Sequence, residues 1–362
     1  MKCLATLLLA AAAVLAAPAM AQDIGYSSSW PLTLPHDTFF GMAAGVATDS
    51  KGHVLVYTRN TDPILVLGGS RAFAHGGSSL YEFGPDGKFV RQIGKQVYGF
   101  LAAQQVRVDP HDNIWVVDRY SSMVIKLNSQ GQVAMLLGRK PESVDVPSTP
   151  DNGRGNPPGS GAQSDLFQSP TDVAWDSSGN IFVADGIGNA RVAKFTSDGV
   201  FVKSWGSRGN GDSQFKTAHG IAVDANGNVY VADRGNRRIQ VFNGDGKFLR
   251  QFTIDVPVPP DARPAIGKIP DEAMMASGTF APGSPWAICI TPPPHQVLYS
   301  SDSWPGRIYK LSLEGKVLGM LGQSGKQLKQ FGWIHALACP SENVVYAAEL
   351  LNWRVQKLVL KP

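Results

Sequence analysis

The feature that most constrains this chain is a unit of about four short strands that recurs six times. Its clearest copy begins at Gly220-Ile-Ala-Val-Asp-Ala-Asn-Gly and runs through Asn-Val-Tyr-Val-Ala-Asp233 to Arg238-Ile-Gln-Val-Phe242, with Gly244-Asp-Gly after it. Asn-Gly and Asp-Gly between apolar runs are strong signals for tight hairpins. The frame predicts a first strand, a turn, a second strand ending near Asp233, a loop, a third strand and a fourth. Asp49, Asp109, Asp176 and Asp224 open the turn in four copies, and Thr291 and Pro340 hold that position in two degenerate ones. Six four-stranded units predict one all-β, six-bladed β-propeller rather than a sandwich.

The last copy stops after its third strand. Residues 24–32 precede the first copy and have no partner of their own, so they are expected to complete the sixth blade. Closing the ring in this way removes a free sheet edge where the chain ends meet. The turn positions 49, 109, 176, 224, 291 and 340 are separated by 60, 67, 48, 67 and 49 residues. The long intervals carry Gly-, Pro- and Ser-rich insertions at 60–79, 139–170 and 253–285, read as loops.

The first 21 residues lie outside this frame. Lys2, an apolar run from Leu4 to Ala17 and the Ala19-Met20-Ala21 exit form the pattern of a secretory signal. That run is too short for a membrane-spanning helix. The expectation is a periplasmic or secreted protein with no membrane insertion, whose propeller occupies 22–362. The formal charge of +4 falls by one when Lys2 is removed, and no basic run is present, which argues against a nucleic-acid partner. Cys289 and Cys339 remain in the mature chain, in the first strands of adjacent blades. They are open to two readings, a disulfide across the blade interface or a pair of buried thiols.

The repeat also sorts residues by rim. In an antiparallel hairpin the start of one strand lies beside the end of the next. The residues five before each turn are Ala44, Gln104, Thr171, His219, Trp286 and His335. The residues just past each second strand are Arg59, Arg119, Gly186, Arg234, Ser303 and Leu350. Both sets should ring one channel mouth, and all three insertions join the chain at that rim. Asp118, Asp185, Asp233, Asp302 and Glu349 each precede a member of the second set. Neither ring holds a carboxylate, so Arg59, Arg119 and Arg234, with Gln104 and Trp286, are expected to bind a small anionic ligand. Against this stands a structural reading, in which each arginine bridges to a neighbouring blade.

Over residues 24–362 the chain resembles the NHL-repeat propellers, and among them the peptidyl-α-hydroxyglycine α-amidating lyases. The resemblance rests on Trp30-Pro-Leu-Thr-Leu-Pro, Arg59, Pro170-Thr-Asp-Val-Ala, Ala184-Asp-Gly-Ile-Gly-Asn-Ala-Arg191 and Val231-Ala-Asp-Arg-Gly-Asn-Arg-Arg-Ile-Gln240. It implies a zinc or other divalent ion on three histidines, a tyrosine base, and arginines that hold the substrate carboxylate. His219 and His335 take two of the metal positions and Gln104 the third. Arg59 and Arg234 match the family arginines, and Arg119 adds another. Ile187 stands where the family has its tyrosine, which leaves Tyr120 or His75 as a replacement base, and Ala336 stands where the family has an acid.

Two functions follow as expectations. One is an anion-binding propeller, extended to a metal-assisted lyase or hydrolase if it is catalytic. The other is a non-catalytic platform for a periplasmic protein or glycan. A lactonase-type propeller would require carboxylate and Asn ligands that the two rings do not offer.

Overall fold

The computed structural model describes residues 21–361 apart from 30, 31, 33, 36–39, 61–63, 68–70, 75, 76, 96, 139–162 and 164. Residues 1–20 of the expected signal and the candidate base His75 therefore lie outside the described residues. Six four-stranded antiparallel sheets follow one another along the chain. The first strands, which line the channel, are Met42–Thr48, Ala103–Val108, Asp172–Trp175, Ala218–Val223, Ala287–Ile290 and Ile334–Ser341. The Asp-led turns form as expected: Asp109, Asp176 and Asp224 each accept backbone N–H groups two and four residues on. In blade 5, Thr291 replaces the carboxylate, and its Oγ1 accepts from Val297 N at 2.9 Å.

The ring closes as the repeat predicts. Tyr26–Ser29 pairs antiparallel with Arg354–Leu360 and becomes the outer strand of the sixth blade. Between blades the core is a series of apolar clusters. One joins Phe182 and Val192 of blade 3 to Ile221, Val231 and Phe242 of blade 4, all essentially inaccessible to water. Cys289 and Cys339 are bonded, with Cα atoms 6.1 Å apart, so the disulfide reading is the one realised, between blades 5 and 6.

Three local features go beyond the expected pattern. The insertion at 60–79 holds a hairpin, Ile64–Leu67 with Arg71–Ala74. The insertion at 253–285 holds one helix, Glu272–Ala276, capped by Asp271, whose side chain accepts from Met274 N. Short parallel pairs also form at Ser207–Arg208 with Gln214–Phe215 and at Gln323–Ser324 with Gln330–Phe331. Among the described residues, no helix is long and apolar enough to cross a membrane.

The first strands are not regular at the mouth. The pairing register shifts between Ala43 and Gly45, Ala103 and Gln105, Ala218 and Gly220, and Ile334 and Ala336. The residue left without a cross-strand partner is Ala44, Gln104, His219 or His335. A bulge re-aims its side chain and interrupts the ladder. The four bulges thus explain why one sequence offset delivers side chains to the channel.

Candidate functional site

Each second strand ends on a buried acid that is already committed to the scaffold. Asp118, Asp185, Asp233, Asp302 and Glu349 are all fully inaccessible. Each accepts a backbone N–H from the segment entering the first strand of its own blade: Leu101 and Ala102, Gln168, Lys216, Gly283 and Gly332 respectively, at 2.7–3.0 Å. These latches consume the negative charge nearest the mouth. The residue after each latch projects at the rim, and in blades 2 and 4 that residue is Arg119 or Arg234.

Arg119 and Arg234 have no carboxylate partner among the described residues, and the Nε of each is buried without a hydrogen bond. Arg234 lies over the Trp286 ring at 4.0 Å and Arg119 over Tyr120 at 5.1 Å. Burial, with Arg119 close by, lowers the Arg234 pKa to about 10. Trp286 is fixed from above by the 253–285 insertion, donating its indole N–H to Thr279 O at 2.8 Å. Trp333 stacks edge-on against both Trp286 and Phe280. One side of the mouth is therefore an aromatic wall with two cations in front of it.

Against this wall lie His219 and His335, with ring centroids 4.8 and 5.9 Å from Trp286, and Gln104 beside them; Gln104, His219 and His335 are 1 %, 4 % and 3 % exposed. His219 Nδ1 lies 2.6 Å from Trp286 O, and His335 Nδ1 lies 2.6 Å from Ala44 O. A carbonyl can only accept, so each Nδ1 carries the proton and each neutral ring offers a lone pair at Nε2. Burial holds both imidazoles well below the usual histidine range. The nearby Arg234 adds to this at His219 and Arg59 at His335. Both Nε2 atoms face the Gln104 amide, at 3.2 and 3.5 Å.

Gln104 is oriented by Arg59, which donates from Nε to Ala103 O at 2.6 Å and from Nη2 to Gln104 Oε1 at 3.1 Å. A guanidinium has only N–H groups to offer, so the amide oxygen belongs on the Arg59 side and the NH2 on the histidine side. The expected divalent ion on His219, His335 and Gln104 does not fit this arrangement. The two histidines have the carbonyl-anchored geometry of metal ligands. The third group, however, presents hydrogens where a cation needs an oxygen or nitrogen lone pair.

The remaining expected residues fall out as follows. Arg59 reaches the mouth but is tied to Ala103 and Gln104 rather than left open. Tyr120 stands beside Arg119, with its backbone N–H on Asp118 Oδ1 at 3.1 Å. Ile187 is half-buried at the rim, its carbonyl accepting from Arg208 at 3.2 Å. Thr171 is spent on packing, donating to Ala184 O or Ala218 O. Gly186 has no room for a side chain, since a Cβ there would lie 1.7 Å from Ala218 O.

A pair that the sequence reading missed closes the channel below the mouth. Arg107 grips Asp172 through two hydrogen bonds, Nε to Oδ1 at 2.9 Å and Nη2 to Oδ2 at 2.6 Å. The same guanidinium donates to Leu337 O and Ile288 O, and Asp172 accepts from Ile221 N. Five blades meet at this one ion pair, so the mouth is a cup with a floor. The signal was available: Arg107 and Asp172, opposite in sign, are the charged residues of the six innermost strands.

On the opposite rim, Asp49, His53 and Glu82 cluster. His53 Nδ1 lies 2.9 Å from Asp49 and 3.2 Å from Glu82, and Arg91 pairs with Glu82 at 2.6 Å. These contacts account for the cluster as a turn.

Comparison with known proteins agrees with the repeat. The NHL repeat model matches residues 215–242, the fourth unit. Peptidyl-α-hydroxyglycine α-amidating lyase 1 of Drosophila melanogaster is 25 % identical over 92 % of this chain and 59 % of its own length. The peptidyl-glycine α-amidating monooxygenase of Mus musculus is 30 % identical over 59 % of this chain and 22 % of its own length. Human NHL repeat-containing protein 3 is 30 % identical over 63 % of this chain and 58 % of its own. The chain thus spans less than two thirds of each of these relatives. In fold it matches a streptogramin B lyase structure, with a TM-score of 0.55 at 12 % identity over 93 % of this chain and 98 % of that one. The chain is therefore a six-bladed β-propeller that carries an NHL repeat, and its homologues include the peptidyl-glycine α-amidating monooxygenases and the peptidyl-α-hydroxyglycine α-amidating lyases.

Proposed function

We propose that the mouth is an anion-binding cup that takes a small carboxylate-bearing molecule, with Arg119 and Arg234 holding the carboxylate and Trp286 the rest of the ligand. The observation that carries this reading is the pair of half-buried guanidiniums that meet no acid among the described residues. A buried cation left unpaired is costly, and an incoming carboxylate would supply the missing hydrogen bonds. The relationship to amidating lyases makes lyase or hydrolase chemistry on such a ligand the natural extension. Any base would come from this chain's own residues, with Tyr120 the described candidate. Export to the periplasm or medium belongs to the same proposal. The Cys289–Cys339 bond supports it, because disulfides persist in oxidising compartments.

The test is thermal shift with acetate, glycolate and N-acetylglycine, each paired with its uncharged amide. At a hundredfold excess over Kd, a ligand of the folded state stabilises by about 2.7 kcal/mol. The carboxylates are expected to raise Tm and the amides not. Arg234→Ala should abolish the effect. No shift with any carboxylate, or a shift that survives in Arg234→Ala, would sink the reading.

A second reading, a platform for a protein or glycan, is favoured by Tyr98, Leu351 and Trp353. They are 67 %, 38 % and 55 % exposed on the same rim. It predicts that substitutions at Arg119 and Arg234 leave the chain's binding properties unchanged.

A further inference from the structure

We infer that the Gln104 amide occupies the place of a metal ion, and that this mouth is held together by a metal-free hydrogen-bond clasp. The hydrogen count closes without remainder. Gln104 has two N–H bonds and meets two Nε2 lone pairs, one from His219 and one from His335. Each histidine spends its single N–H on a backbone carbonyl, Trp286 O or Ala44 O. The Gln104 oxygen accepts from Arg59. Five blades are joined through these contacts: the first by Arg59 and Ala44, the second by Gln104, the fourth by His219, the fifth by Trp286 and the sixth by His335.

A dication and this amide exclude one another. Binding a metal to both Nε2 atoms would require Gln104 to turn its oxygen inward. That rotation would aim the NH2 at Arg59, donor against donor, in a buried site. The clasp therefore performs the bridging that a metal could perform, while leaving the cup without a Lewis acid. This inference is independent of the carboxylate reading, since Arg119 and Arg234 lie outside the clasp.

The experiment is 15N-detected histidine NMR and metal analysis of the purified full chain, with Zn2+ as the probe. The His219 and His335 resonances, assigned by their loss in His219→Ala and His335→Ala, report on the mouth, so zinc adhering at Asp49, His53 and Glu82 on the other rim, which shifts the His53 resonances, is not mistaken for the site. His219 and His335 are expected to show protonated Nδ1 and unprotonated Nε2. Neither should move on addition of Zn2+, and Tm should not change on addition of a chelator. Gln104→His should acquire zinc at one ion per chain, with both Nε2 resonances shifted. Gln104→Glu, isosteric with the native side chain and still able to pair with Arg59, serves if the larger imidazole prevents folding. Stoichiometric zinc on the wild-type chain that is lost in His219→Ala would overturn the inference. So would the absence of zinc from both Gln104 variants, because Gln104 would then not be what excludes it.

Discussion

Two arginine sites in the same channel have opposite surroundings. At the waist, Arg107 is matched by Asp172 in a two-bonded pair and also satisfies two carbonyls. At the mouth, Arg119 and Arg234 meet no acid among the described residues, and the carboxylates one residue before them are turned into the blades. The same side chain is thus a scaffold element at one level and an open donor at the other. What separates the two is where the nearest carboxylate spends its lone pairs.

The largest test of that contrast is Asp172→Ala. It would leave Arg107 buried without its partner, and removing one member of a buried ion pair costs about 3–5 kcal/mol. Denaturant unfolding should register a loss of that size, with Arg107→Ala close behind. If Asp172→Ala cost no more than a surface substitution, the waist would not be the fastener described here.

The next effect sharpens the same point. Replacing both partners together, Arg107→Met with Asp172→Leu, removes the uncompensated charge along with the pair. Such double replacements are often neutral or stabilising. The double variant should recover most of what Asp172→Ala loses, and its unfolding midpoint should lie nearer the wild-type value than either single variant. Midpoints that simply add would show that the two residues act independently.

Much of this architecture was legible in the sequence, and the reason is register. The turn positions from Asp49 to Pro340 set a frame that placed Gln104, His219, His335 and Trp286 at one mouth, and the structure brings them together. The closing strand was legible because the last unit lacked a fourth strand and residues near Tyr26 lacked a partner. What the frame could not show is how a side chain's hydrogen bonds are distributed. Arg59 and Arg234 read alike in the sequence. Yet Arg59 is bound to Gln104, because the bulge at Gln104 swings its amide across blade 1. Nothing in Ala103-Gln-Gln-Val announces that bulge. The Arg107–Asp172 pair was missed for a related reason: its members lie in different blades, and only the closed ring makes them neighbours.

The smallest predicted effect is also the most specific to the mouth. In Arg119→Met the variant loses a guanidinium 5.1 Å from the Tyr120 ring, a contact worth roughly 0.5–1 kcal/mol where partly exposed. It also sheds a buried Nε that has no acceptor among the described residues, and it relieves Arg234 of a neighbouring cation. Leaving a polar group unsatisfied costs about 1–3 kcal/mol, so the gain and the loss nearly cancel or favour the variant. Unfolding in the absence of ligand should therefore move by less than about 1 kcal/mol, in contrast to the waist. Carboxylate binding, by thermal shift, should weaken in the same variant, because the group that costs nothing to remove from the empty cup is one that a bound anion would engage. A large loss of stability in Arg119→Met would place this arginine with Arg107 as scaffold and leave Arg234 alone as the open donor.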